Sequence, residues 1–211
     1  GGDNKLAILS TLSHNTSEEN VAVYISENEG SSNQLTFGGG SSSYNAVTTL
    51  RFMTASAVDT TTGTERLRID SRGSFLFSNG ALVEKTKITS GKLSDNTNID
   101  LVNGMVHYFT TTETGTSTPN IRINSSTSLS SVMAVGDAIS VTIVTQAASA
   151  AYSANITIDG GAVTEEWSGG SAPSSGGSGG LDVHTFTIIR GNNTGTPNSD
   201  FAVLATYANY N

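Results

Sequence analysis

The sequence predicts an all-β fold, on three observations. Its apolar residues fall in short runs rich in Val, Ile, Thr, Phe and Tyr, which suit a pleated, half-buried surface. Within the runs apolar and polar residues alternate at a period of two. Between the runs lie clusters of Gly, Ser, Asn and Asp, the residues that turns require.

The elements follow in order. Val21, Val23 and Ile25 share one face of a strand, and Ala22 and Tyr24 take the other. Leu67 and Ile69 point away from Arg66 and Arg68. Ile139, Val141 and Ile143 alternate with Ser140 and Thr142, and Phe201, Val203, Ala205 and Tyr207 repeat the pattern. In the C-terminal half strands are predicted at 105–111, 120–124, 138–146, 155–159, 182–190 and 201–207. Turns are expected at 38–43, Asn79-Gly80, Asn103-Gly104 and Asp159-Gly160, since Asn-Gly and Asp-Gly favour the positive φ of two-residue hairpins. No stretch longer than ten residues keeps a helical period, although a short helical piece is expected around 129–135. Segment 168–180 holds six glycines and five serines and reads as a flexible excursion between strands; 192–199 reads as a shorter one.

Composition narrows the function. Ser, Thr, Asn and Gly fill 100 of 211 positions, yet 36% of residues are hydrophobic, so there is material for a core. The chain has no cysteine, which excludes a disulfide scaffold, a Cys-ligated zinc site and a thiol nucleophile. No apolar run approaches the ~18 residues of a membrane-spanning helix. A net charge of −8 argues against a nucleic-acid footprint, which needs a basic face. The chain opens on Gly-Gly, without a basic-then-apolar leader, and is read as part of a longer polypeptide.

Charge also divides the chain. Residues 1–92 hold eight basic and nine acidic groups, whereas 93–211 hold two and nine. The expected organisation is a β-rich domain at 1–84, for which the resemblance described next implies a fibre- or shaft-like role, a linker at 85–98 and an antiparallel β-sandwich, jelly-roll-like, at 99–211.

The segment Thr64-Glu65-Arg66-Leu67-Arg68-Ile69-Asp70-Ser71-Arg72-Gly73, followed by a short hydrophobic strand at 74–77, resembles a repeat common in bacteriophage tail fibres. From Leu82 onward the likeness is more specific. Gly91-Lys92-Leu93-Ser94-Asp95-Asn96-Thr97-Asn98-Ile99-Asp100-Leu101, Val135-Gly136-Asp137-Ala138-Ile139-Ser140-Val141 and Trp167-Ser168-Gly169-Gly170-Ser171-Ala172-Pro173 look like a module of cyanophage and other marine phage structural proteins. The resemblance implies the C-terminal part of a virion fibre or appendage protein. It implies a homotrimer on the particle surface, without enzymatic activity or cofactor, in contact with other virion proteins and with host-surface polysaccharide. It carries over no set of site residues. The alternatives are a carbohydrate-binding or glycan-cleaving domain, or an extracellular filament subunit that lends a strand such as 5–12 to a neighbour.

Candidate chemistry is sparse. Glu165 and Glu166 beside Trp167 suggest a sugar contact or an interface, but adjacent strand residues point to opposite faces, so the two carboxylates cannot flank one bond. Gly176-Gly177-Ser178-Gly179-Gly180 satisfies the G-x-S-x-G pattern without the strand-to-helix turn that makes it a nucleophile. His107 and His184 fall on apolar strand faces and read as core or interface histidines, and His14 as exposed. The segment 95–100 has the look of a calcium loop but lacks the glycine and glutamate such a loop needs. Arg66 and Arg68 with Glu65 and Asp70 are expected to form ion pairs across strands or between subunits.

Overall fold

Alternation at period two becomes strands wherever a turn lets the chain fold back, and the protein is all-β. The computed structural model describes residues 5–211. The chain divides into two units, the first ending at Leu82 and the second spanning Val83–Asn211.

In the first unit β1 (Lys5–Thr11), β2 (Val21–Glu29) and β3 (Ser32–Phe37) form an antiparallel sheet in that order. Gly30 and Ser31 make the two-residue turn between the paired Glu29 and Ser32. A second antiparallel sheet holds β4 (Leu50–Thr54), β5 (Thr64–Ile69) and β6 (Phe75–Leu76). The turn from β5 to β6 is organised by Asp70, whose carboxylate accepts the backbone N–H of Arg72 at 2.9 Å and of Ser74 at 3.0 Å. These hydrogen bonds, with Ser74 foremost, hold the Asp70 carboxyl below its usual range. Gly73 closes the turn at φ 82°, open to glycine at little strain. Leu50, Ile69 and Phe75 are directly paired across the second sheet, and Phe52 faces Leu67, so one face is apolar.

The second unit builds β7 (Thr86–Thr89), β8 (Asn98–Asp100), β9 (Val106–Thr112), β10 (Asn120–Arg122) and β11 (Ala138–Gln146). It continues with β12 (Thr157–Ile158), β13 (Gly161–Ala162), β14 (Glu165–Trp167), β15 (Leu181–Arg190) and β16 (Phe201–Tyr210). Two four-residue helices, α1 (Leu129–Val132) and α2 (Pro197–Asp200), close connections. One sheet runs β14-β16-β15-β11-β9-β7 and the other β13-β12-β10-β8. Residues 85–98, expected as a linker, belong to this unit: β7 pairs with β9, and Leu93 is buried.

The expected antiparallel, jelly-roll-like arrangement is corrected here. Five strand pairs are parallel: β7/β9, β9/β11, β8/β10, β10/β12 and β14/β16. The reason is the route of the chain. From β7 to β14 it crosses to the other sheet after nearly every strand, so each return to a sheet runs in the same direction as the last visit. Of the expected Asn-Gly and Asp-Gly hairpins, Asp159-Gly160 forms one, between β12 and β13, with both residues at positive φ (53° and 80°). Asn103-Gly104 ends a turn of 3-10 helix instead, and Asn79-Gly80 lies in a bend outside any strand.

Both sheets contribute to one core. Ile99, Ile121 and Ile158 come from the four-stranded sheet, and Phe109, Ile143, Phe186 and Ile188 from the six-stranded one. β15 alternates buried with half-buried residues along its whole length. Its last buried residue, Arg190, donates to the carbonyls of Ser130 and Met133, and its guanidinium lies 5.9 Å from the Phe201 ring centre. Asp200, also buried, accepts the backbone N–H of Thr194 and Gly195, which keeps its carboxyl below the usual range.

Candidate functional site

The residues singled out in the sequence are taken unit by unit, beginning with the second. In β14, Glu165 turns inward, where its carboxylate accepts the backbone N–H of Ile156 at 2.6 Å. Glu166 is exposed on the opposite face. Trp167 packs against the core, edge-on to Phe186 with ring centres 6.1 Å apart at 78°. The two carboxylates therefore do not converge, and the indole is half-buried as an anchor rather than presented as a platform.

Glu65, Arg66, Arg68 and Asp70 all find partners within the chain. Glu65 lies 3.5 Å from Arg68 and 4.0 Å from Arg51. Arg66 donates to the Thr54 hydroxyl at 2.8 Å and the Asn79 carbonyl at 2.6 Å, and Asp70 pairs with Arg72 at 3.0 Å.

His14 is exposed, and His107, buried in β9, lies with Nε2 3.1 Å from the Gly104 carbonyl. Burial lowers the His107 pKa. His184 is 2% exposed and neither ring nitrogen has a hydrogen-bond partner. It is stacked on Phe186 at 6.5 Å and tilted against Tyr207 at 5.0 Å. Burial lowers its pKa to about 4, against a smaller opposing pull from Asp182. Among the described residues no group of three or more His, Cys, Asp or Glu side chains is placed to hold a metal ion. The 95–100 segment is turned to other uses: Asp95 pairs with Lys92 at 3.2 Å and Asp100 with Arg122 at 2.6 Å.

The expected flexible excursion at 168–180 is pinned at its far end. Buried Asp182 accepts the Gly177 N–H at 3.0 Å, the Tyr207 hydroxyl at 2.8 Å and the Asn209 amide at 3.0 Å. Asn209 also donates to the Gly179 carbonyl at 3.0 Å. A Cβ on Gly177 would stand 1.9 Å from Asn209 Nδ2 and push that amide off its hydrogen bonds, and one on Gly180 would stand 1.9 Å from the Tyr210 carbonyl oxygen, where backbone leaves room only for glycine. The loop feeds straight into β15, so Ser178 has no helix behind it and the G-x-S-x-G pattern is only a loop. Desolvation and the Asp182 carboxylate raise the Tyr207 pKa to about 12.

What the structure does bring together is the outer face of the four-stranded sheet. Three short strands carry the tripeptides Asn98-Ile99-Asp100, Asn120-Ile121-Arg122 and Thr157-Ile158-Asp159. Their parallel, in-register pairing stacks the isoleucines inward, all three fully buried. Outward it makes a polar ladder. Asn120 Nδ2 donates to Asn98 Oδ1 at 3.0 Å, and Asn120 Oδ1 accepts the Thr157 hydroxyl at 3.0 Å and the Gly160 N–H at 2.8 Å. Below this rung Arg122 Nε meets Asp100 at 2.6 Å. At its end the Asp159 carboxylate accepts the N–H groups of Leu129 and Ser130 at 2.6 and 3.0 Å, fixing the start of α1.

Two grooves lie in this part of the unit. One, of about 370 Å³, has Asn120, Arg122, Asn124 and Ser126 among its walls. The other, of about 400 Å³, lies between the edge strands β7 and β8, with Lys87, Ile88, Asn98, Asp100 and His107 among its walls. Sequence reasoning missed this face, although the thrice-repeated polar–Ile–polar tripeptide was a usable signal. No protein family, no characterised protein and no solved structure matches the chain.

Proposed function

We propose that the chain is a structural subunit of a bacteriophage virion, a fibre or appendage component that assembles as a homotrimer through its first unit. The distribution of burial carries this reading. Among the described residues nineteen apolar residues are buried, and only Ala22 and Ile25 of them lie in the first unit. Of 21 large apolar residues left exposed, fourteen lie there, among them Leu35, Phe37, Phe52 and Phe75. A unit of about 80 residues gains its stability from burying such side chains, and one that leaves them in water completes its core with other copies of itself. A closed symmetric assembly also covers the open strand edges of two three-stranded sheets.

The second unit differs: its two sheets share one core, and we read it as a β-sandwich that folds around its own apolar residues. The likeness of 64–73 and of the later segments to phage fibre sequences supports a virion location. The partners are other virion proteins, with host-surface polysaccharide as the outward contact and no nucleic acid or membrane partner. The role is mechanical rather than catalytic. Mass spectrometry of purified particles, with antibody labelling under the electron microscope, tests the assignment. The chain is expected in the particle at an external projection; abundance in the lysate with absence from the particle overturns it.

A further inference from the structure

We infer that Asn79-Gly80 is a site of spontaneous covalent modification: in the folded protein the Gly80 backbone nitrogen attacks the Asn79 side-chain amide, and the residue ages to isoaspartate and aspartate. The inference does not rest on the proposed virion role.

The reaction needs only the chain and water. The Gly80 nitrogen bonds to Asn79 Cγ and gives its proton to solvent. The Cγ–Nδ2 bond breaks, and the nitrogen takes up a proton and leaves as ammonia. Water then opens the five-membered succinimide at either carbonyl: attack at the backbone carbonyl gives isoaspartate, attack at Cγ gives aspartate. Nothing is oxidised or reduced. The attack asks for a backbone N–H that no acceptor holds, no side chain obstructing the approach, and a backbone free to bring the nitrogen onto Cγ.

Asn79-Gly80 meets all three conditions. It lies in a bend outside any strand, and every residue from 71 to 88 is exposed. Among the described residues the Gly80 N–H has no acceptor, and no atom lies within 4 Å of where a Cβ on Gly80 would stand. The Asn79 amide touches the Glu65 carbonyl at 3.3 Å, an exposed contact beyond the usual hydrogen-bond range. The chain's other Asn-Gly pair is protected. The Gly104 N–H donates to the Leu101 carbonyl at 3.0 Å, and the Lys85 carbonyl crowds the Gly104 Cα. Asp159-Gly160, the related Asp-Gly pair, is held too: the Gly160 N–H donates to Asn120 at 2.8 Å, and the Asp159 carboxylate is engaged by Leu129 and Ser130.

Conversion has a local consequence. The new carboxylate cannot donate to the Glu65 carbonyl, and it adds a negative charge to a chain of net −8. In the isoaspartate form the backbone runs through the former side chain, which displaces the Asn79 carbonyl that Arg66 reaches at 2.6 Å. Both contacts that tie Asn79 to β5 are therefore altered.

The test is peptide mapping by mass spectrometry of the full chain aged at mildly alkaline pH, folded and in guanidinium chloride, with the starting sample subtracted. Tryptic peptide 73–85 carries Asn79 as its single side-chain amide, so its products are unambiguous. In the folded chain Asn79 is expected to convert at least about tenfold faster than Asn103, with isoaspartate the larger product. In denaturant the two should convert at similar rates. Gly80→Ala, whose Cβ meets nothing, is expected to slow Asn79 about tenfold and leave the circular dichroism spectrum unchanged. No conversion at Asn79, equal rates at Asn79 and Asn103 in the folded chain, a difference that persists in denaturant, or an undiminished rate in Gly80→Ala overturns the inference.

Discussion

Lowering the pH from 7 to 4 perturbs the second unit directly, because it charges His184 in the unfolded chain before it can charge it in the folded one. The ring is buried between Phe186 and Tyr207 with neither nitrogen hydrogen-bonded. Its pKa therefore falls from 6.5 to about 4 on folding, chiefly through desolvation. The folded state binds fewer protons than the unfolded one between these values, so stability is intact above 6.5 and drains away as pH falls toward 4. At about 1.4 kcal/mol per pH unit the full interval corresponds to roughly 3 kcal/mol, a large part of a typical domain's stability. His107 adds a loss of the same sign below 6.5. Asp70 and Asp200 have carboxyls already below 3.8 and lose their contribution only at still lower pH. Urea unfolding at a series of pH values, followed by the fluorescence of Trp167, the only tryptophan, reads the second unit alone. His184→Leu removes the titrating group while keeping an apolar side chain. The difference between the two proteins isolates His184: its curve should be flatter by about the full 3 kcal/mol between pH 7 and 4. Identical pH dependence in both would refute the reasoning.

Three further outcomes are expected. Gly177→Ala drives a Cβ into Asn209 and breaks the Asp182 pin, so it should destabilise the second unit by about 1–3 kcal/mol and expose 168–180 to limited proteolysis. Asp159→Ala should lower the urea midpoint by the equivalent of about 1–2 kcal/mol, since two N–H groups of α1 lose their acceptor. Asp159→Asn keeps an acceptor and the left-handed backbone and should lose less. Replacing Phe52 and Phe75, exposed on the apolar face of the second sheet, with serine should shift a size-exclusion profile from trimer toward monomer and leave Trp167 fluorescence unchanged.

The sequence was most legible where alternation was long and least where strands were short. β11 runs from Ala138 to Gln146 as expected, because nine alternating residues leave one register possible. The split of Glu165 from Glu166 was likewise readable from period two alone. Alternation says which face a residue takes but not which strand lies beside it, so the parallel pairing from sheet-to-sheet crossing went unforeseen. β8, β10 and β12 have only two or three residues each, too few for a period, and the ladder they form comes from register between distant segments. The glycines of 168–180 looked like flexibility, whereas at Gly177 they are room for a neighbouring side chain. In the first unit Leu35, Phe37 and Phe52 alternate like core residues, and nothing local in the sequence tells that they stay exposed within the chain.

The central claim, that the first unit completes its core with copies of itself, is tested most directly by multi-angle light scattering of the purified full chain. The predicted mass is three times the 21.7 kDa of one chain, unchanged on dilution through the micromolar range. A stable, soluble species at the mass of a single chain would contradict it.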